Sequence, residues 1–178
     1  MKYSVCNPSQ VEEINQLFIK TFSDTEGESE GLVIGELTNN FMTNTNTKDF
    51  YCFVATDLDK IIGGVFFSKF TLENNTKAFI LSPMATLTAY QGKGIGQHLI
   101  NFSHNILKEI GVELLLTYGD INFYSKVGYQ QIKEEIIPAP HKLSYPEGWL
   151  GQSLISNNIE PITGKSFCVK ALCKAELW

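Results

Sequence analysis

The chain contains no arginine, so its total of 14 Lys plus Arg is made up entirely of lysine. Arginine is the side chain that binds phosphate with two parallel hydrogen bonds. Any phosphate-bearing ligand must therefore be held by backbone N–H groups and by lysine. The formal net charge of −5 also argues against general nucleic-acid binding, which depends on basic patches.

Cysteine and histidine are scarce, and no two of them stand at a spacing typical of metal ligands, so we expect no metal site. The residues concerned are Cys6, Cys52, Cys168, Cys173, His98, His104 and His141. No apolar run approaches the roughly 18–20 residues that span a bilayer. Residues 1–8 do not resemble a signal peptide. We predict a cytoplasmic protein with reduced thiols and no membrane partner.

A length of 178 residues predicts one domain, residues 1–178, with a full hydrophobic core. Apolar periodicity and β-branched runs predict the element order β-α-α-β-β-β-α-β-α-β-β. The predicted helices cover residues 9–22 and 30–41 and the stretch from residue 95, and the last strands cover 129–137 and 166–172. Residues 23–31 are predicted as an acidic connection, 38–47 as a surface loop and 138–164 as a long C-terminal loop segment. The second predicted helix has the apolar face Val33, Leu37 and Phe41. The third has the apolar face Ile95, Leu99, Phe102, Ile106 and Ile110.

Residues 91–96, Gln-Gly-Lys-Gly-Ile-Gly, lie between the predicted strand 78–86 and the helix that begins at Ile95. A strand that turns through glycines into a helix exposes backbone N–H groups at the positive end of the helix dipole, which favours an anion. A Walker loop would require Ser or Thr after Lys93, where the chain has Gly94. A dinucleotide fingerprint would require a glycine at Gln97 and a preceding βαβ unit.

The pattern Gln-x-x-Gly-x-Gly at Gln91, Gly94 and Gly96 resembles the acetyl-CoA pyrophosphate loop of the GNAT superfamily of N-acetyltransferases. A second segment strengthens the resemblance, because Phe123-Tyr124 and Gly128-Tyr129 follow a predicted buried strand at 112–118. Family members typically carry an aromatic-Tyr-x-x-x-Gly-Phe segment there, with Phe where this chain has Tyr129. The resemblance implies an α/β fold with a mixed, twisted central sheet flanked by helices.

The resemblance also implies a site for acetyl-CoA as co-substrate. Its pantetheine arm would pair like an added strand with the end of the strand before the loop, and its pyrophosphate would bind the loop amides. The corresponding residues are Met84, Ala85, Thr86, Gln91, Gly92, Lys93, Gly94, Ile95 and Gly96. Pro83 is consistent with a disrupted strand ladder or simply with an edge strand. The glycines also suit a tight turn, and Lys93 also suits a solvated surface position.

Tyr124 is the residue that the resemblance implies as general acid for the departing thiolate. A free phenol has a pKa near 10 and a free thiol near 8.5, so full transfer of the proton costs about 2 kcal/mol. The hydroxyl is then expected to share its proton as charge develops on sulfur. The alternative is a tyrosine that packs on the sheet.

The acceptor is expected to be a primary amine of a small molecule or a protein. Glu26, Glu28 and Glu30 are candidates to attract its positive charge, although a solvated acidic loop explains them equally well. Glu73 is a weaker candidate for the base, and His141, Tyr145 and Trp149 lie on the long segment that could cover the acceptor. A non-catalytic acyl-CoA sensor and another nucleotide-binding protein remain alternatives. The sequence leaves the acceptor and the oligomeric state open, a homodimer included.

Overall fold

A mixed, twisted sheet flanked by helices forms the centre of the molecule, which confirms the predicted α/β fold class. The computed structural model describes all residues from Met1 to Trp178. Its helices are α1 (Val11–Glu26), α2 (Glu28–Asn44), α3 (Ile95–Glu109) and α4 (Ile121–Tyr124). Its strands are β1 (Lys2–Val5), β2 (Phe50–Asp57), β3 (Lys60–Leu72), β4 (Ala78–Thr86), β5 (Leu114–Tyr118), β6 (Gln130–Gln131), β7 (Trp149–Ser153) and β8 (Ser166–Cys168). The strand order is β1-β2-β3-β4-β5-β7-β6, and β8 pairs with β3.

Residues 1–67 and 83–103 form one compact unit. The inner faces of α1 and α2 supply the buried side chains Ile14, Leu17, Phe18, Ile34, Leu37 and Phe41. Phe66 on β3 lies between the two helices, with ring centroids 5.4 Å from Phe18 and 5.3 Å from Phe41. The chain enters α1 through a capping box, in which the Asn7 side chain accepts from the Ser9 N–H and the Gln10 side chain accepts from the Asn7 N–H.

The acidic connection predicted at residues 23–31 is wrong, because α1 continues to Glu26 and α2 begins at Glu28. Gly27 alone separates the helices, with φ of +104°, a conformation that only glycine adopts readily. Glu28 and Glu30 then lie in the first turn of α2, where the helix dipole favours a negative charge. The surface loop predicted from residue 38 is also wrong, since α2 reaches Asn44. Val33, which was predicted on the apolar face of this helix, is exposed, and its neighbour Ile34 is buried instead.

Residues 68–82 and 104–178 form the second unit. The first residues of β4 pair in parallel with β5, from Ala78 opposite Leu114 to Leu81 opposite Thr117. β7 pairs antiparallel with β5 and also with β6. Trp149, at the start of β7, is completely buried, and its indole N–H donates to the carbonyl of Ile137 at 2.8 Å.

Four predictions for this second unit are corrected by the structure. The segment 138–164 is not a continuous loop, because it contains β7. The strand predicted at 129–137 ends at Gln131, and the strand predicted at 166–172 ends at Cys168 and is followed by a 3₁₀ turn at Lys170–Leu172. Ile110, predicted on the apolar face of α3, lies beyond its end and is 38% exposed. None of the helices combines the length and the apolar surface that crossing a bilayer requires.

Candidate active site

The C-terminal end of β4 carries the residues predicted to meet pantetheine. The pairing of β4 with β5 ends at Leu81, and β4 then continues through Pro83, which has no N–H to donate. Ala85 and Thr86 are buried. The Thr86 hydroxyl is enclosed and has no hydrogen-bond partner. A buried hydroxyl without a partner carries a desolvation cost.

The glycine loop lies directly after this strand. Gly92 and Gly94 have φ values of +74° and +77°, and a side chain at either position would strain the backbone. The Gln91 side chain donates to the Thr86 carbonyl at 3.0 Å, which ties the loop to the end of β4. α3 begins at Ile95, and its first hydrogen bond joins the His98 N–H to the Gly94 carbonyl at 3.0 Å. The N–H groups of the first turn therefore have no carbonyl of the helix to pair with.

Lys93 is the one cationic side chain within this loop. Its ammonium group donates to the Ala89 carbonyl at 3.1 Å and lies 5.1 Å from the ring centroid of Tyr90. The lysine is exposed, so a rotation of its side chain costs only these weak surface contacts. The backbone, rather than the lysine, provides the donors that the fold fixes in place.

Asp24 joins the end of α1 to the segment that precedes the loop. Its carboxylate accepts from the Thr88 hydroxyl at 3.0 Å and from the Lys20 ammonium at 2.9 Å. The bond from Lys20, followed by that from Thr88, lowers the pKa of Asp24. Sequence reasoning missed Asp24 because only the fold brings α1 to Thr88. The predicted Glu26 and Glu28 are exposed on either side of Gly27, and Glu30 is half-buried.

Tyr124 ends the short helix α4. The residue is partly buried, and burial raises the pKa of Tyr124 to about 12 in spite of a hydrogen bond with Thr117. Thr117 itself donates to the Leu81 carbonyl at 3.0 Å. Tyr124 is edge-on to the rings of Phe123 and Tyr129, at centroid distances of 5.0 and 5.6 Å. The phenol is therefore fixed in place and fully protonated at neutral pH.

His104 and Tyr129 form a buried pair next to Tyr124 that sequence reasoning did not assign. The Tyr129 hydroxyl is 3.4 Å from Nε2 of His104, and both residues are almost entirely buried. Burial lowers the pKa of His104 to about 4 and raises the pKa of Tyr129 well above its usual value. Both side chains are consequently neutral at physiological pH.

A cluster of His141, Cys168 and Cys173 also escaped sequence reasoning. One ligand atom from each residue lies within 4.8 Å of the others, and the two sulfur atoms are 3.5 Å apart. The spacing of the two cysteines could have indicated this cluster. Residues 169–172 separate them, and zinc-binding cysteines are often separated by roughly two to four residues. Glu73, the weaker candidate base, instead accepts from the Lys165 N–H at 2.9 Å.

Comparisons with known proteins agree on one family. A family model described as an acetyltransferase (GNAT) domain matches residues 48–131. The uncharacterized N-acetyltransferase YjhQ of Escherichia coli strain K12 is 26% identical over 115 residues, which cover 61% of this chain and 63% of that protein. The match thus spans just under two thirds of that curated relative.

Two solved structures show the same fold. One is the GNAT family N-acetyltransferase YhbS from Escherichia coli in complex with CoA, with a TM-score of 0.77 and 20% identity over 97% of this chain and 92% of that chain. The other is a GNAT family acetyltransferase from Brucella melitensis in complex with acetyl-CoA, with a TM-score of 0.68 and 19% identity over 96% of this chain and 97% of that chain. Residues 48–131 therefore match a GNAT acetyltransferase domain, and the chain as a whole shares its fold with GNAT acetyltransferases of known structure.

Proposed function

We propose that this protein transfers the acetyl group of acetyl-CoA to a primary amine, carried by a small molecule or a protein, by direct attack in a ternary complex. The observation that supports this most strongly is the loop at residues 91–96, where two glycines with positive φ precede the first turn of α3. This geometry suits a pyrophosphate. The proposed transfer uses no metal ion.

In this proposal the donor is held chiefly by the backbone. The amides of residues 91–96 bind the pyrophosphate, and Lys93 leaves Ala89 to contact a phosphate oxygen. The pantetheine arm runs along Met84, Ala85 and Thr86 in the manner of an added strand. The absence of arginine from the chain makes the backbone contribution larger than in a site with a guanidinium clamp.

Tyr124 acts in the proposed reaction as the general acid. The amine nitrogen attacks the thioester carbonyl carbon, the carbon–sulfur bond breaks, and sulfur leaves with the bonding electron pair. Because burial raises the pKa of Tyr124 to about 12, full protonation of a thiolate of pKa near 8.5 would cost about 5 kcal/mol. The phenol therefore stabilises the sulfur by a hydrogen bond that strengthens as charge develops, and the proton lost by the amine finally neutralises the thiolate.

The acceptor must be deprotonated before it attacks. An alkyl amine of pKa near 10.4 requires about 4–5 kcal/mol to lose its proton at pH 7, so a base or a water relay has to assist. Glu26, Glu28 and Glu30 lie around Gly27 at the end of α1, and Asp24 links that end to Thr88 just before the glycine loop. We assign these carboxylates to the attraction of a cationic amine. A cytoplasmic location is part of the proposal.

Two measurements test the proposal. Acetyl-CoA should raise the melting temperature of the protein, whereas ATP and NAD at the same concentration should leave it unchanged. A panel of amines and lysine peptides, screened by detection of free CoA thiol, should then contain an acceptor that is turned over. Binding of acetyl-CoA without turnover of any amine would favour a non-catalytic acyl-CoA sensor. Stabilisation by ATP or NAD but not by CoA would overturn the assignment of the donor.

A further inference from the structure

The cluster of His141, Cys168 and Cys173 brings together ligand groups from three parts of the chain. Cys168 is the last residue of β8, Cys173 follows the 3₁₀ turn at Lys170–Leu172, and His141 comes from the segment between β6 and β7. The two sulfur atoms are 3.5 Å apart, and a ring nitrogen of His141 is within 4.8 Å of both. The sulfur of Cys173 also approaches the Cys168 carbonyl at 3.7 Å.

Neighbouring parts of the fold support each of these side chains. β8 is fixed to β3, with Cys168 opposite Phe70, and the turn after it is closed by bonds from Leu172 and Cys173 to the carbonyls of Val169 and Lys170. Trp178 packs its ring 6.0 Å from that of His141 and donates to the Leu172 carbonyl at 2.9 Å. One buried tryptophan thus supports both the histidine and the cysteine-bearing turn.

The separation of the two sulfur atoms matches the edge of a tetrahedral metal site. With zinc–sulfur bonds of about 2.3 Å and zinc–nitrogen bonds of about 2.0–2.1 Å, two sulfur ligands lie about 3.8 Å apart and a sulfur–nitrogen pair about 3.5 Å apart. The sulfur pair needs almost no movement. Cys173 is exposed and His141 is partly exposed, so small side-chain rotations bring the imidazole to the required distance.

We propose that His141, Cys168 and Cys173 form a binding site for Zn²⁺. Two thiolates and an imidazole are soft or borderline ligands, which favour zinc over magnesium or calcium, and the two thiolates neutralise the charge of the ion. All three residues line a cavity of about 380 Å³, which is also lined by Pro138 and Lys165. Water or a small ligand in that cavity completes the fourth position.

A third ligand distinguishes this cluster from the other pair of neighbouring cysteines. Cys6 and Cys52 are also hydrogen-bonded through their side chains, and the Cys6 N–H donates to the Cys52 carbonyl at 2.9 Å. They have no third metal-ligating group beside them, since the only such cluster of three or more is the one at His141. This pair therefore provides a control that has two neighbouring thiols and no third ligand.

The test is a metal titration of tag-free, fully reduced protein. We expect one Zn²⁺ per chain in competition with a chromophoric chelator, and Co²⁺ at the same site should show the charge-transfer absorption of thiolate ligands and the visible bands of tetrahedral cobalt. His141→Ala, Cys168→Ser and Cys173→Ser should each weaken zinc binding by at least about 100-fold, because even second-sphere changes cost 10–100-fold. Cys6→Ser should bind as the wild type does.

Tryptophan fluorescence gives an independent readout, because the chain has only two tryptophans and Trp178 contacts both His141 and Trp149. Saturation with Zn²⁺ should change the emission of the wild type and of Cys6→Ser but not that of Cys173→Ser, whose melting temperature in the absence of metal should stay at the wild-type value. Absence of saturable binding, or undiminished binding by Cys173→Ser, would overturn the proposal. The proposal would also be overturned if the reduced protein bound no metal and only formed a Cys168–Cys173 disulfide in air.

Discussion

A Cβ atom at Gly119 would lie only 2.7 Å from Cε2 of Tyr124. The tyrosine ring therefore occupies the space that the missing side chain leaves beside the end of β5. The backbone at Gly119 is itself fixed, because its N–H donates to the Gly148 carbonyl at 2.9 Å. The position of the proposed general acid thus depends on a neighbouring glycine that carries no functional group of its own.

Gly119→Ala should lower kcat about 10- to 100-fold with little change in KM for acetyl-CoA. The added methyl group pushes the Tyr124 ring away, and misplacement of a catalytic group by about 1 Å can cost about 100-fold. The double variant Gly119→Ala/Tyr124→Phe should be no slower than Tyr124→Phe alone. A further loss in the double variant would show that Gly119 acts by another route than the phenol.

Tyr124→Phe should keep the affinity for acetyl-CoA and lose about 10²- to 10⁴-fold in kcat, the usual contribution of a general acid. Because burial raises the pKa of Tyr124 to about 12, the phenol stays protonated as the pH rises, and kcat of the wild type should not fall between about pH 8 and 10. Tyr3→Phe, on β1, is the matched control and should have wild-type kcat. A decline in wild-type kcat centred near pH 10, absent from Tyr124→Phe, would contradict the raised pKa.

The glycine loop and the Tyr124 segment were predictable because their structure is encoded locally. Gly92 and Gly94 adopt the positive φ values that their residue type allows, and α3 begins where its apolar pattern begins, at Ile95. The acidic connection was mispredicted because one glycine, Gly27, separates two long helices. The charged residues around it are equally compatible with a loop.

The remaining features of the fold and the site depended on contacts between residues far apart in the chain, which a single sequence does not display. β7 is a strand because it pairs with β5 and β6, although it is preceded by a proline-rich segment. His141 approaches Cys168 because β8 pairs with β3 and because Trp178 packs against the imidazole. Only the spacing of Cys168 and Cys173 gave a local indication of that cluster.

Gln91→Ala should weaken the binding of acetyl-CoA about 2- to 12-fold, as expected for the loss of one ordinary hydrogen bond. The Gln91 side chain donates to the Thr86 carbonyl at 3.0 Å, so its removal frees the loop from β4 and increases the cost of ordering it. The measurement is calorimetric titration with acetyl-CoA. Gln97→Ala, in the first turns of α3, is the control and should bind normally. Equal affinity of Gln91→Ala and wild type would show that the loop is held without this bond.

The protein should lose stability as the pH falls from about 6.5 toward 4, and His104 should account for a definable part of the loss. Burial lowers the pKa of His104 to about 4, while in the unfolded chain it is near 6.5. The unfolded state therefore binds more protons in this window, and the free energy of unfolding decreases by about 2 kcal/mol between pH 7 and pH 5 from this group alone.

His104→Gln keeps a polar group near the Tyr129 hydroxyl and removes the titration. Urea unfolding at pH 7 and pH 5 should show a smaller difference for this variant than for the wild type, by about 2 kcal/mol. His98→Gln, at an exposed position of the same helix, is the control and should retain the wild-type difference. Identical pH dependence of His104→Gln and wild type would mean that His104 is protonated as readily in the folded protein as in the unfolded one.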